Sequence, residues 1–132
     1  MKIRQRLCFF LIASILIMAV ACSSAKSTSM EGFWMDNANN VTTIEKQNGQ
    51  YVATLNYYML SPSAQNTLVS SSYENGILTW KYCPPAKPCI TMKTVSFNGD
   101  NLDVTWVNAN GESGEMTLKR TEKGQNIWSQ SQ

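Results

Sequence analysis

The chain after Glu31 consists of short runs of apolar and β-branched residues separated by turn residues. No segment repeats its apolar positions with the period of a helix, whereas several runs alternate with the period of two that is typical of strands. Asn48-Gly49 and Asn75-Gly76 are the strongest hairpin signals. Residues 61–66 contain a proline and are predicted to be a loop. The predicted strands are residues 32–36, 41–46, 51–60, 67–73, 77–82, 90–97, 102–107 and 115–120.

Eight short strands joined mainly by short turns favour an antiparallel, up-and-down meander. Residues 31–122 are too few to fill two large sheets easily, and an unclosed meander would leave exposed edges. Closing the sheet removes those edges and encloses room for side chains or one small ligand. The sequence therefore predicts an all-β domain at 31–122, a small closed barrel of eight antiparallel strands in up-and-down order, followed by a polar tail at 123–132. An open sandwich is the alternative.

The N-terminus has the pattern of a secretion signal. Three basic residues within the first six precede residues 7–20, a run of fourteen residues without charge. A helix of that length spans about 21 Å, less than the ~30 Å hydrocarbon core of a bilayer. An uncleaved membrane anchor is therefore the weaker alternative. Residues 1–21 are predicted to be a signal peptide that is removed from the mature protein.

Ala19-Val20-Ala21-Cys22 resembles the lipobox of bacterial lipoproteins. The resemblance implies diacylglycerol on the sulfur of Cys22, cleavage before this residue, and acylation of the new α-amino group. Residues 22–30 would then be the lipidated cysteine and a short polar tether. Ser23, where lipoproteins kept at the inner membrane have aspartate, implies sorting to the outer membrane. Ordinary cleavage after Ala21, which would leave a soluble periplasmic protein, is the alternative.

Loss of the signal changes both the charge and the cysteine count. The formal net charge of +2 becomes −1, with eight basic and nine acidic residues, so no nucleic-acid partner is expected. Cys8 leaves with the signal and Cys22 is lipidated, which leaves Cys83 and Cys89 as a pair in an oxidising compartment. We predict a disulfide between them. A metal site is the alternative, but two thiolates in a chain without histidine are too few ligands.

Gly32-Phe33-Trp34 resembles the Gly-x-Trp motif of the lipocalins and their calycin relatives. In that superfamily the tryptophan closes one end of an eight-stranded barrel, and an arginine of the last strand packs across it. The resemblance implies that Arg120 is this arginine. It also implies that Gly32, Trp34 and Arg120 close the barrel and do not contact a ligand.

The sequence offers little for catalysis. Without histidine there is no His-based nucleophile or acid–base pair, and the carboxylates are scattered, so neither enzyme activity nor a cofactor is expected. Apolar alternating faces of the third and seventh predicted strands are expected to point inward. They carry the candidate cavity residues Tyr51, Leu55, Tyr57, Met59, Leu102, Val104 and Trp106. Core packing is the alternative role, because a small barrel can be filled by its own side chains.

Three functions are consistent with this pattern. The favoured one is a membrane-anchored lipoprotein that binds a small apolar or amphipathic ligand. The second is an envelope lipoprotein that binds a protein, for example an inhibitor of lysozyme or another hydrolase, using the loop at 83–89 or at 108–114. The third is a structural envelope component without a ligand. An apolar cavity of several hundred Å³ would favour the binding of a small ligand. A filled interior together with an exposed apolar loop would favour the binding of a protein.

Overall fold

The computed structural model describes residues 27–59 and 61–122, and only the backbone of 61–64. The predicted signal peptide, Cys22 and the tail at 123–132 lie outside these residues. The described residues form eight antiparallel strands in meander order, and β8 pairs with β1 to close a barrel. The predicted fold is confirmed, and the open sandwich is excluded. The strands are β1 Gly32–Met35, β2 Asn40–Gln47, β3 Gln50–Tyr58, β4 Ser61–Glu74, β5 Ile77–Cys83, β6 Ile90–Asn98, β7 Asn101–Asn108 and β8 Ser113–Thr121.

The described part of the chain contains no helix long and apolar enough to cross a membrane. Its residues outside strands are turns and short connections. The fold therefore has one layer, a sheet rolled on itself, and the side chains on its inner face form the core.

Tight turns join the strands at one end of the barrel, called the closed end below. These turns are Asn48-Gly49, Asn75-Gly76 and Gly99-Asp100. In the first two, both residues have positive φ, 50° and 80° at Asn48-Gly49 and 51° and 79° at Asn75-Gly76. This is the backbone of a type I′ turn, whose twist matches that of the strands and which Asn-Gly adopts readily. Two predicted hairpins are thereby confirmed.

Longer connections lie at the opposite end, called the mouth below. Residues 36–39 join β1 to β2, residues 84–89 join β5 to β6, and residues 109–112 join β7 to β8. The fourth connection, from β3 to β4, spans residues 59–60. Since adjacent strands run in opposite directions, every second connection must lie at the same end.

The predicted loop at 61–66 is wrong, because β4 begins at Ser61 and continues to Glu74. Its pairing with β3 is irregular, since Tyr57 lies opposite Gln65 whereas Tyr58 lies opposite Ser61. Pro62 falls within this shift of register. A proline lacks the N–H that a regular ladder needs, but a bulge tolerates it. The proline therefore marks an irregular start of a strand and not a loop.

Eleven buried side chains form a continuous hydrophobic core inside the barrel. All eight strands except β4 contribute to it, and β4 adds Leu68 and Tyr73 at its edge. The cluster fills most of the interior, as expected for eight strands. Its members are Met30, Trp34, Ile44, Ala53, Leu78, Trp80, Tyr82, Met92, Leu102, Val104 and Leu118.

A bulge in β3 reverses which of its side chains face inward. Ile44 pairs with Ala53 but the preceding Thr43 pairs with Leu55, so Thr54 is the extra residue. Alternation is therefore shifted by one position beyond Thr54. Ala53 faces the core on one side of the bulge, and Asn56 faces inward on the other.

Candidate functional site

The closed end is sealed by Arg120 stacked on the indole of Trp34. The two residues are directly paired between β8 and β1, and the guanidinium carbon lies 4.3 Å from the ring centroid. Phe97 meets the same indole edge-on, with ring centroids 5.9 Å apart. Trp34 is completely buried. A cation–π contact of this kind contributes about 0.5–2 kcal/mol, and the aromatic pair adds to it.

Hydrogen bonds fix the position of Arg120. Its guanidinium donates to the backbone carbonyls of Ser29 (2.7 Å), Glu31 and Gly99 (3.0 Å), and its Nε lies 3.4 Å from a carboxylate oxygen of Asp100. Gly32 is needed beside it, because a Cβ at this position would lie 2.8 Å from Nη1 and the φ of +135° disfavours other residues. The closed end is thus a packed plug with no access to the interior.

The segment before β1 is fastened to this plug. Met30, which the sequence placed in the tether, is buried in the core. Its carbonyl accepts a hydrogen bond of 2.8 Å from Nε1 of Trp34, and its N–H donates to the hydroxyl of Tyr51 at 3.4 Å. Residues 27–31 therefore belong structurally to the closed end of the barrel.

The mouth contains a cavity of about 230 Å³. It lies at the opposite end from the Trp34–Arg120 stack and is open to solvent between the longer connections. Its volume is below the ~300 Å³ at the lower limit of typical ligand pockets, so it fits a small molecule or one portion of a larger one. The lining residues are Asp36, Asn37, Ala38, Asn40, Tyr58, Tyr82, Pro84, Lys87, Ile90, Met92, Trp106 and Met116.

One wall of the cavity is apolar. Ile90 and Met92 of β6, Trp106 of β7 and Met116 of β8 share the inward face, and all four line the cavity. The indole of Trp106 packs directly on the backbone of Gly114, where a Cβ would come within 2.8 Å of Nε1. Methionine side chains adapt their shape to what they contact, so this wall can accept apolar groups of different outline.

The facing wall is polar and begins at Asp36. One oxygen of its carboxylate accepts hydrogen bonds from the backbone N–H groups of Ala38 (2.8 Å) and Asn40 (2.9 Å). The other oxygen accepts from Nδ2 of Asn40 at 2.9 Å. Asp36 therefore holds the β1–β2 connection in place, and its carboxylate is nearly saturated with donors.

A row of buried side-chain hydrogen bonds extends inward from this wall. Nδ2 of Asn66 donates to the side-chain oxygens of Asn40 (3.2 Å) and Asn56, and Nδ2 of Asn56 donates to the hydroxyl of Thr42 at 2.7 Å. The side-chain oxygen of Asn66 is buried and has no hydrogen-bond partner. A buried acceptor without a donor is costly, so a hydrogen-bond donor that reached it would be held favourably.

Two tyrosines complete the polar wall. Burial raises the pKa of Tyr82 well above its ordinary value of about 10, and the nearby Asp36 and Tyr58 raise it further. Tyr82 is therefore a neutral hydroxyl throughout the physiological range. Tyr82 belongs to the core cluster and also lines the cavity.

The rim is stiffened by the disulfide between Cys83 and Cys89, with Sγ atoms 1.99 Å apart, which confirms the predicted pair. Within the closed loop Pro84 is buried, whereas Lys87 is exposed. No carboxylate of the described residues pairs with Lys87. The carbonyl of Cys89 accepts a hydrogen bond of 2.9 Å from the N–H of Ala109, which ties this loop to the β7–β8 connection.

The candidate cavity residues divide between the core, the mouth and positions that belong to neither. Leu102 and Val104 lie in the core, Tyr51 packs at its edge near the closed end, and Trp106 lines the mouth. Leu55 and Tyr57 share the face of β3 opposite to that of the core, because the bulge at Thr54 reverses the alternation. Tyr57 is nevertheless buried, at 2% exposure, although it is not part of the core cluster. Met59 follows the end of β3 and neither belongs to the core cluster nor lines the cavity.

Most of the residues that line the cavity were not predicted from the sequence. Ile90, Met92 and Met116 were identifiable in principle from the inward alternation of β6 and β8. Their partners in β7 are Asn108, Trp106 and Val104, respectively, which share the inward face. Tyr58 and Tyr82 lie within the predicted strands 51–60 and 77–82 but were not predicted to line a cavity. Asp36 was predicted to end the first strand, and its contact with the cavity depends on the fold of the β1–β2 connection.

The mouth combines apolar and polar side chains around one cavity. The described residues contain no group of three or more Cys, Asp or Glu side chains that could hold a metal ion. What the cavity offers is an apolar wall, hydroxyl and amide groups, and one exposed ammonium. Comparisons of the chain with protein families, with curated proteins and with solved structures find no match.

Proposed function

We propose that this chain is a lipid-anchored envelope protein that binds a small amphipathic molecule, or the apolar portion of one, in the mouth of its barrel. The observation that carries the proposal is the cavity of about 230 Å³ opposite a completely filled closed end. Apolar ligand sites are typically concave and carry a few convergent polar groups, as this one does.

The two walls suggest how a ligand would lie. Its apolar part would pack on Trp106, Met92 and Met116, which removes apolar surface from water at about 25 cal/mol per Å². A polar or anionic head would face the solvent side, where the ammonium of Lys87 has no carboxylate partner among the described residues. Because the lining groups include no acid–base pair suited to catalysis, binding without turnover is proposed.

The proposed location depends on Cys22 and the lipobox resemblance of residues 19–22. Acyl chains on Cys22 would give stable anchoring, since each buried CH₂ contributes about 0.8 kcal/mol. Ser23 supports sorting to the outer membrane. The disulfide in the rim fits an oxidising compartment. The Gly32–Trp34–Arg120 arrangement resembles the barrel closure of the lipocalins, whose members bind small ligands at the open end.

Protein binding is the second candidate, and the rim supports it. The Cys83–Cys89 loop is rigid, is bonded to the neighbouring connection through Ala109, and presents exposed residues. A pocket this small could also receive a single side chain of a partner, as in an inhibitor that docks on a hydrolase. A structural component without a ligand remains the third hypothesis, and it is distinguished by the same experiment.

The experiment uses the periplasmic protein with Cys22→Ser, purified from cells and examined by native mass spectrometry and by titration with an anionic amphipathic dye. A co-purified small molecule, or saturable dye binding, is expected. Ile90→Trp, which fills the cavity, should abolish most of the dye binding. Val107→Trp is the matched control, because Val107 is exposed on the outer face of neighbouring β7.

Equal dye binding by both variants would refute binding in the mouth. Absence of any bound molecule, together with capture of a specific envelope protein that Lys87→Glu abolishes, would favour the second candidate. Absence of both would favour a structural role.

A further inference from the structure

The segment that leads to the predicted lipid anchor leaves the barrel at its closed end. Three contacts fasten it there: Trp34 Nε1 donates to the carbonyl of Met30 at 2.8 Å, and the guanidinium of Arg120 donates to the carbonyls of Ser29 (2.7 Å) and Glu31. The side chain of Met30 is 7% exposed. The first residues of the described chain are therefore held by the same groups that plug the barrel.

The mouth lies at the other end. β1 runs from Gly32 beside the plug toward residues 36–39, and those residues line the cavity together with the loop at 84–89. Strands of eight or nine residues separate the two ends. With a rise of about 3.3 Å per residue and a tilt of about 40°, the mouth is about 20 Å above the plug, and its loops extend further.

The link between the anchor and the barrel is shorter than this height. Five residue steps separate Cys22 from Ser27, the first described residue. A fully extended chain of that length reaches about 18 Å. If the mouth faced the lipid, the link would have to span the height of the barrel, from the membrane to the closed end, which exceeds its reach. Holding the link fully extended would also cost conformational entropy.

We propose that the membrane-anchored barrel stands with its closed end toward the lipid and presents its mouth to the aqueous compartment. The group that enters the mouth would then arrive from the aqueous side and would not be drawn directly from the leaflet that holds the anchor. This inference rests on the proposed lipidation of Cys22, and it also applies to any attachment of the chain through the residues before Ser27.

Single cysteines test this orientation. In the mature lipoprotein Cys22 is acylated and Cys83 is bonded to Cys89, so an introduced cysteine is the one free thiol. Gln47→Cys places it at the closed end and Asn110→Cys at the mouth, both at exposed positions. Each protein is labelled with a thiol-reactive fluorophore and reconstituted in liposomes that contain a nitroxide-headgroup lipid, a short-range quencher. Glu74→Cys and Ala109→Cys form a second pair at exposed positions of the same two ends.

Labels at the closed end should lose most of their fluorescence, and labels at the mouth should lose little. Equal quenching at the two ends, or stronger quenching at the mouth, would overturn the proposed orientation. The Cys22→Ser variants of all four proteins are the baseline without an anchor.

Failure of the anchor itself is read separately, from the mass of the N-terminal peptide. If Cys22 carries no lipid, the proposed anchoring is refuted. Orientation is then measured on a chain in which a hexahistidine segment replaces residues 1–22 and binds to nickel-chelating lipids. The same order of quenching is expected there, and the reverse order would again overturn the inference.

Discussion

The closed end and the mouth of this barrel are made from the same eight strands but differ in their turns and in how completely their polar groups are paired. At the closed end the connections are two-residue turns, and the donors of Arg120 are taken up by backbone carbonyls. At the mouth the connections are mostly longer. The side-chain oxygen of Asn66, which is buried next to the polar wall of the mouth, has no partner among the described residues.

This difference is the reason why the mouth is taken as the candidate site. At the closed end the Asn-Gly turns adopt the backbone that this pair favours and the donors of Arg120 are paired, as expected where a sequence only has to specify a fold. Departures from such local rules are concentrated at functional sites in natural proteins. A rigid plug at one end therefore stabilises the barrel and leaves the other end free to keep a cavity open.

The largest expected effect tests the plug. Trp34→Ala removes a completely buried indole together with its contacts to Arg120 and Phe97, and should lower the free energy of unfolding by about 3–5 kcal/mol. Urea denaturation followed by circular dichroism measures this loss. Trp106→Ala at the half-buried mouth position should cost clearly less. Equal losses would show that the two ends do not differ in their contribution to stability.

The second effect concerns the rim. Replacing both Cys83 and Cys89 by alanine should lower the free energy of unfolding by about 2 kcal/mol. Without the short covalent loop, the unfolded chain has more conformational freedom and is therefore favoured. Hydrogen exchange should accelerate in residues 82–92 and remain unchanged around Asn48-Gly49. Faster exchange at the closed end as well would mean that the mouth is not structurally independent of the plug.

The third effect separates binding from stability. In Gly114→Ala the new Cβ would lie 2.8–3.0 Å from the indole of Trp106, which must swing toward the open mouth. We expect the free energy of unfolding to fall by about 1 kcal/mol, which is at the low end of the cost of overpacking. Dye binding should become markedly weaker. Ser113→Ala, at the exposed neighbouring position, is the control. Unchanged dye affinity in Gly114→Ala would show that the position of the Trp106 indole does not affect dye binding.

The smallest effect depends on pH. The pKa of Tyr82 is raised in the folded state, so its contribution to stability is fully present below about pH 10, the pKa of an unfolded tyrosine, and falls above it. Between pH 9 and pH 11 the free energy of unfolding of the parent protein should therefore fall by about 1 kcal/mol more than that of Tyr82→Phe. Urea denaturation at the two pH values measures both changes. Parallel losses in the two proteins would contradict burial of this hydroxyl at the mouth.

Most of the fold could be predicted because turn chemistry is local. Asn48-Gly49 and Asn75-Gly76 determine their hairpins through backbone conformations that few other pairs adopt easily. The pairing of Cys83 with Cys89 followed from the fate of the other two cysteines. The loop predicted at 61–66 failed because one proline was taken to end a strand, whereas the strand accommodates it in a register shift.

The candidate site was less predictable, since it depends on register. A single extra residue at Thr54 turns Leu55 and Tyr57 to the face opposite to that of the core, and no residue type in that stretch marks the bulge. The apolar wall requires three strands to be aligned with one another, and alternation within each strand does not supply that alignment. The cavity volume depends on how far the core side chains fill the interior, which is a property of packing and not of pattern.

The number of strands has a consequence for fusion proteins. Eight is even, so an up-and-down chain that enters the barrel at one end must leave it at the same end, and Thr121 indeed lies beside Phe33. A tag or reporter domain joined after β8 would therefore emerge next to the plug and leave the mouth unobstructed. Insertion into residues 109–112 would place the same domain across the opening. These two positions of one reporter give a way to block or spare the mouth without altering any side chain that lines it.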